Sequence, residues 1–155
     1  MKERGRVSVA LFEPEIAGNA GAVARMCAAT GSPLHLIGRL GFQLRGPAAR
    51  RAGMDYWERV ELHRHATWDD FSAATSCPRR WLFTTTTDRL LWEVAFEPGD
   101  VLVFGSESRG LGPHLLGRHP ERTVRIPMAE GERSLNLAMA AAVATYEAAR
   151  QLSLR

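Results

Sequence analysis

Cysteine is scarce in this chain of 155 residues: there are two. Cys27 falls in a helical pattern and Cys77 beside Pro78, and they form no metal or redox spacing. That excludes a disulfide-stapled secreted fold and makes a reducing cytoplasm the simplest location. Lysine is scarcer still, Lys2 being the only one, so the net charge of +3 is carried almost wholly by arginine. Arginine grips phosphate bidentately and stacks on bases. A charge this small permits a phosphate-rich partner without requiring one, and biased gene composition explains the arginine equally well. Long apolar runs are missing too. None approaches a membrane span, and VSVALF near the start is too short for the core of a signal peptide and is cut off by Glu13-Pro14. No membrane partner is expected.

Several motifs are also absent. There is no Walker A pattern and no Gly-x-Gly-x-x-Gly after the first strand, which removes support for nucleotide hydrolysis or a standard dinucleotide fold. The five histidines lack zinc-ligand spacing. Only His63 and His65 stand close together, they read as solvated, and no metal is expected. GSESRG resembles a nucleophile elbow only loosely, since Arg109 separates Ser108 from Gly110.

What is present is enough for one domain over residues 1–155, because 45% of the residues are apolar. Strand and helix patterns alternate along it. Val7 to Phe12 reads as a buried strand. IAGNAGAVARMCAATG reads as a helix capped by Asn19 and ended by Gly31, and Leu34 to Ile37 as a second strand. An Arg-rich loop with a short helix leads to a short strand at Val60 and Leu62, then to a helix capped by Thr67. Trp81 to Thr87 is β-rich, and Val101 to Phe104 is the clearest buried strand. A glycine turn (Gly105, Gly110, Gly112) precedes a short helix with Leu115 and Leu116. Val124 to Ile126 is the last strand, and the last helix runs from an N-cap at Ser134 to about Leu152. The expectation is α/β with a mostly parallel sheet.

The last helix is small or apolar on nearly every face, so it is covered on more than one side. Either a second subunit or its own domain supplies that cover. Four polar loops follow strands: Glu13 to Arg25, Thr84 to Thr87, Gly105 to Gly110 and Met128 to Asn136. Ligands of an open parallel sheet bind beyond the carboxyl ends of its strands. Asn19, Arg25, Glu107, Arg109, Ser134 and Asn136 are therefore expected to share one site.

Three stretches, NAGAVAR (Asn19 to Arg25), FGSESRGL (Phe104 to Leu111) and IPMAEGERSLNLAMA (Ile126 to Ala140), resemble in order and spacing the motifs of the SPOUT superfamily (SpoU-type) of knotted RNA methyltransferases. With FEPEIAGNAGAVARMCAATG, RRAGMDYW and TYEAARQL, the chain is most similar to small tRNA ribose methyltransferases acting on the wobble nucleotide, cytidine or uridine 34. The resemblance spans essentially the whole chain. It implies a C-terminal deep trefoil knot, an exception to the usual rule, a homodimer, and S-adenosylmethionine bound in the knot.

By matched position, Thr85, Gly105, Ile126 and Ser134 would contact the cofactor and Leu135 would wall its adenine. The implied reaction carries a methyl group to a ribose 2′-hydroxyl of a tRNA anticodon stem-loop. Arg25 would clamp phosphate and stabilise the developing alkoxide rather than act as a literal base. Arg109 and Tyr146 would orient the RNA or the hydroxyl, and Asn19, Glu107 and Asn136 would complete the RNA contacts. Where relatives commonly read Ser-Leu-Asn-Leu-Ser-Asn-Ala, this chain has SLNLAMA, with Ala138 and Met139 at polar positions. The loop from Asp88 to Glu97, with Leu91 and Trp92, also departs from the pattern. A ribose methyltransferase for another tRNA or ribosomal RNA site, and a knotted RNA-binding dimer without catalysis, are the alternatives.

Overall fold

The apolar runs become a six-stranded sheet. The computed structural model describes residues 6–51, 55–75 and 79–152, so Cys77 and part of RRAGMDYW lie outside the described residues. Strands β1 (Ser8–Phe12), β2 (Leu34–Ile37), β3 (Leu62–His65), β4 (Arg80–Phe83), β5 (Val101–Phe104) and β6 (Thr123–Val124) lie in the order β3-β2-β1-β5-β4-β6. Every pairing is parallel. All residues of β2 and β5 are buried, as expected of strands covered on both faces.

The helices are α1 (Ala17–Thr30), α2 (Pro47–Arg51), α3 (Trp68–Ala74), α4 (Pro113–Arg118) and α5 (Leu137–Gln151). Side chains alternate across a strand, and β1 shows the result. Val9 and Leu11 pack with Val23, Ala24 and Cys27 of α1 and with Ala141, Ala144 and Ala148 of α5. Ala10 faces the other way, into a second core with Phe71 of α3 and Leu115 of α4. The alanines let α1 and α5 lie close together over the sheet.

Thr67 caps α3 as expected, its hydroxyl accepting from Asp70 N at 3.0 Å, and Gly31 ends α1 at φ 71°. Two other cap assignments are corrected. Helix α1 starts at Ala17, with Ile16 at the cap position and no side-chain cap bond, so Asn19 sits inside the first turn. Helix α5 starts at Leu137 and is capped by Asn136, not Ser134. The last strand is shorter than its β-branched run, since beyond Val124 only Arg125 bridges, to Leu90. Likewise β4 stops at Phe83, leaving the four threonines as a loop.

The histidines also differ from expectation. Strand register sets His35 beside His63. The His35 ring stacks between those of His63 and His65, at 4.9 and 5.2 Å, and its Nδ1 lies 3.0 Å from His65 Nε2. Burial, followed by the like charges of His63 and His65, pushes His35 from 6.5 down to about 4. The unfolded chain therefore binds a proton in this window that the folded chain refuses. Stability is complete above pH 6.5 and is lost as pH falls through 4, by about 3 kcal/mol for this group. His35→Leu is expected to flatten the decline of the urea midpoint over that window. An unchanged slope would assign the acid sensitivity elsewhere.

Candidate active site

Loops leaving β1, β4, β5 and β6 meet at one end of the sheet around a cleft of ≈ 1090 Å³. Its floor is apolar: Phe83 and Phe104, at the ends of neighbouring strands, stack with ring centroids 4.5 Å apart. The threonine loop forms one side, and the segment from Ile126 to Leu137 another. Leu116 and Gly117 of α4, with Pro120, add a wall that the sequence pattern did not single out. Their only signal was their place directly after a glycine turn.

The turn after β5 is closed on itself. Ser106 and Gly110 exchange backbone hydrogen bonds of 3.2 and 2.8 Å. This lays the peptide after Gly110 against Gly105, where a Cβ would stand 2.0 Å from the Gly110 carbonyl carbon. Only glycine fits there, because any side chain would run into the turn's own peptide.

Glu107, on the same turn, reaches into the first loop. Its carboxylate accepts from Glu15 N at 2.9 Å, Ile16 N at 2.7 Å and Asn19 Nδ2 at 3.2 Å. Asn19 Oδ1 in turn accepts from Asn136 Nδ2 at 3.0 Å, and Asn136 Oδ1 accepts from Ala138 N and Met139 N at 2.9 and 3.2 Å. Amides that α1 and α5 cannot pair within themselves are thus satisfied by one chain of side chains running through all three motifs. Glu15 reciprocates by accepting from the Ser108 hydroxyl and from Ser108 N, and these bonds hold its carboxyl below the usual carboxylate range.

Thr85, Gly105, Ile126, Ser134 and Leu135 all line the cleft, as do Asn19, Glu107, Arg109 and Asn136. Asn19, Glu107 and Asn136, expected as RNA contacts, have polar groups engaged with one another and with helix ends. Arg109 points outward: its side chain is 72% exposed and, among the described residues, bonds only to Glu13 Oε2, at 3.5 Å.

Arg25 and Tyr146 are not in the cleft of their own chain. Arg25 is exposed on α1, its guanidinium 5.4 Å from the Tyr56 ring centroid. Tyr146 stands on the outer face of α5 in line with Met139 and Val143, at helical spacing. These three side chains are 51%, 64% and 41% exposed. Ile16 and Leu135, also exposed, belong to both the cleft lining and the exposed apolar set. Met139 lies on this stripe, so the departure from the polar pattern adds apolar surface outside the cleft. In the 88–97 loop Leu91 is fully buried and Trp92 exposed. Among the described residues no cluster of histidine, cysteine or carboxylates is suited to a metal, and no helix is long and apolar enough to cross a membrane.

The sequence pattern of the SpoU rRNA Methylase family matches residues 6–146. A tRNA (cytidine(34)-2′-O)-methyltransferase of Burkholderia pseudomallei is 50% identical over 147 residues, covering 93% of this chain and 94% of its own length. A solved structure described as giving insights into 2-OH methylation of C/U34 on tRNA superposes with a TM-score of 0.90 at 47% identity, covering 97% of this chain and 99% of the other. The SpoU methyltransferase AviRb from Streptomyces viridochromogenes, in complex with the cofactor AdoMet, superposes with a TM-score of 0.79 at 25% identity, covering 96% of this chain and 61% of the other.

Proposed function

Because the chain belongs to the SpoU rRNA methylase family, we propose that its cleft binds S-adenosylmethionine and presents a methyl group to the ribose 2′-hydroxyl of nucleotide 34, cytidine or uridine, of a tRNA. The observation that carries this reading is the hydrogen-bonded chain Glu107, Asn19, Asn136, which draws three distant motifs around a single cleft. Relatives at this level of identity are tRNA (cytidine(34)-2′-O)-methyltransferases, and this chain is an enzyme of the same kind.

The cleft suits the cofactor. Gly105 and Gly110 place backbone in the cleft lining, while Phe83, Phe104, Ile126 and Leu135 offer apolar cover for a purine. Thr85 and Ser134 supply hydroxyls at the rim. When bound, the cofactor supplies a sulfonium-activated methyl group. What the chain must add is orientation and charge. A ribose hydroxyl attacks poorly until its proton is drawn away, and a guanidinium beside the oxygen stabilises the negative charge that develops as the proton leaves to solvent. Arg25 takes that part and Arg109 holds the adjoining phosphate.

Since Arg25 stands outside the cleft of its own chain, it acts in the cleft of a second copy. The exposed stripe Met139, Val143, Tyr146 supports a homodimer, because it would be covered by the same stripe related by a twofold axis, bringing Tyr146 to the seam. A deep knot is supported by the chain path. Strand β6 lies at the outer edge beside β4, while α5 packs on α1 and β5, so residues 125–136 must cross back over the ends of the inner strands. A tRNA substrate supports a cytoplasmic location.

Mass spectrometry of tRNA digests from cells with and without the gene tests the reading. Loss of ribose methylation at position 34 on deletion is the expected result. A loss at another tRNA or ribosomal site, or no change anywhere, would replace it.

A further inference from the structure

A second cavity, of ≈ 530 Å³, opens at the carboxyl ends of β1, β2 and β3. It is lined by Phe12, Glu13, Arg39, Thr67 and Trp68, and by Arg109, which also lines the main cleft. Phe12 and Trp68 form an apolar base, their rings meeting edge to face at 6.1 Å. Arg39 is exposed and makes no hydrogen bond or ion pair among the described residues. Glu13 is the only described residue other than glycine with a positive φ, 51°. Its Cγ lies where a Cβ on Gly38 would come within 2.8 Å, so that glycine leaves room for the Glu13 side chain. A backbone held this way in the left-handed region is commonest where a ligand is positioned.

We propose that this cavity holds the base of a nucleotide adjoining the methylated one, with Arg39 and Arg109 on the connecting phosphate and Glu13 accepting from an N–H of the base. The assignment rests on the reading of an RNA ribose as substrate. A bare anion would meet the Glu13 carboxylate, whereas a nucleotide offers both an anion for the arginines and a donor for the acid. Arg109 is common to both cavities, which fixes the ligand as a neighbour on the same strand: the chain leaving the cleft passes this residue first. Single-stranded loops are read in this way, by splaying bases into separate pockets.

The test uses the full-length enzyme, S-adenosylmethionine and an anticodon stem-loop RNA, with two variants. Arg39→Ala removes an exposed charge that has no partner among the described residues, and Ala66→Phe fills the cavity from an exposed position on its rim. Each is expected to raise KM for the stem-loop about tenfold, the scale of one lost charge-assisted phosphate contact. The kcat and cofactor Kd should stay within about twofold of wild type, and the thermal midpoint should be unchanged, as for a surface substitution. In a series of stem-loops carrying one abasic site each, removal of one base next to the methylated position should penalise the wild type but not Ala66→Phe. Wild-type KM in both variants, or equal penalties for both proteins at every abasic position, would overturn the assignment. Failure of the wild-type enzyme to methylate the stem-loop would overturn the substrate reading itself, and this assignment with it.

Discussion

Arg25→Ala is expected to lower kcat about a hundred- to thousandfold, the effect of losing one group that stabilises a developing oxyanion, while the Kd for S-adenosylmethionine stays at the wild-type value. The separation follows from geometry. Arg25 is remote from the cleft of its own chain and rests on Tyr56, and in the partner's cleft its proposed part is toward the ribose oxygen, so its loss should spare cofactor affinity. If it serves a second copy, a mixed pair decides the matter. One protomer would carry Arg25→Ala and the other a disabled cleft, the pair being isolated through two different affinity tags. The intact cleft then faces the intact arginine, and roughly half the wild-type turnover should return. No recovery, with the pair still assembled, would place Arg25 in its own cleft or outside the reaction. Parallel loss of cofactor affinity and kcat in Arg25→Ala would show that its role has been misassigned.

Gly105→Ala is expected to disable the cleft. The added methyl would lie 2.0, 2.3 and 2.4 Å from backbone atoms of Gly110 and Leu111, which cannot rotate aside as a side chain would. The turn closed by Ser106 and Gly110 has to open. Overpacking of this kind costs about 1–3 kcal/mol, and at the upper end the same energy lowers cofactor affinity about a hundredfold. Gly117→Ala is the matched control. It also lines the cleft, but an added Cβ there meets nothing within 4 Å, and affinity should be unchanged. Calorimetric titration with S-adenosylmethionine distinguishes the two. Equal affinity in both variants would remove Gly105 from the cofactor site.

The strands that build this cleft were legible because burial on both faces leaves an unbroken apolar run, as in VLVF of β5, and the gathering of four loops at one sheet end follows from parallel topology. The helix starts were not, and the reason is physical. A cap is recognised from a local side chain, but the amides before α1 are satisfied by Glu107, which lies 91 and 92 residues away. At α5 the expected cap was Ser134, and the observed one is Asn136. Asn136 took the position because its amide also reaches Asn19, a contact that no spacing rule contains. The histidine stack was hidden for a similar reason: His35 meets His65 only through the pairing of β2 with β3. Arg25 was matched by its motif, yet its direction depends on a helix face that sequence alone leaves open.

The hydrogen bond from Asn136 to Asn19 spans 117 residues, and with Glu107 it fastens the cleft shut from both ends of the chain. A polypeptide that stops at Pro127 has every described β-strand but lacks the cleft wall from Met128 to Ala140 and the Asn136 latch. A fragment cut there is expected to keep the sheet and yet modify no RNA.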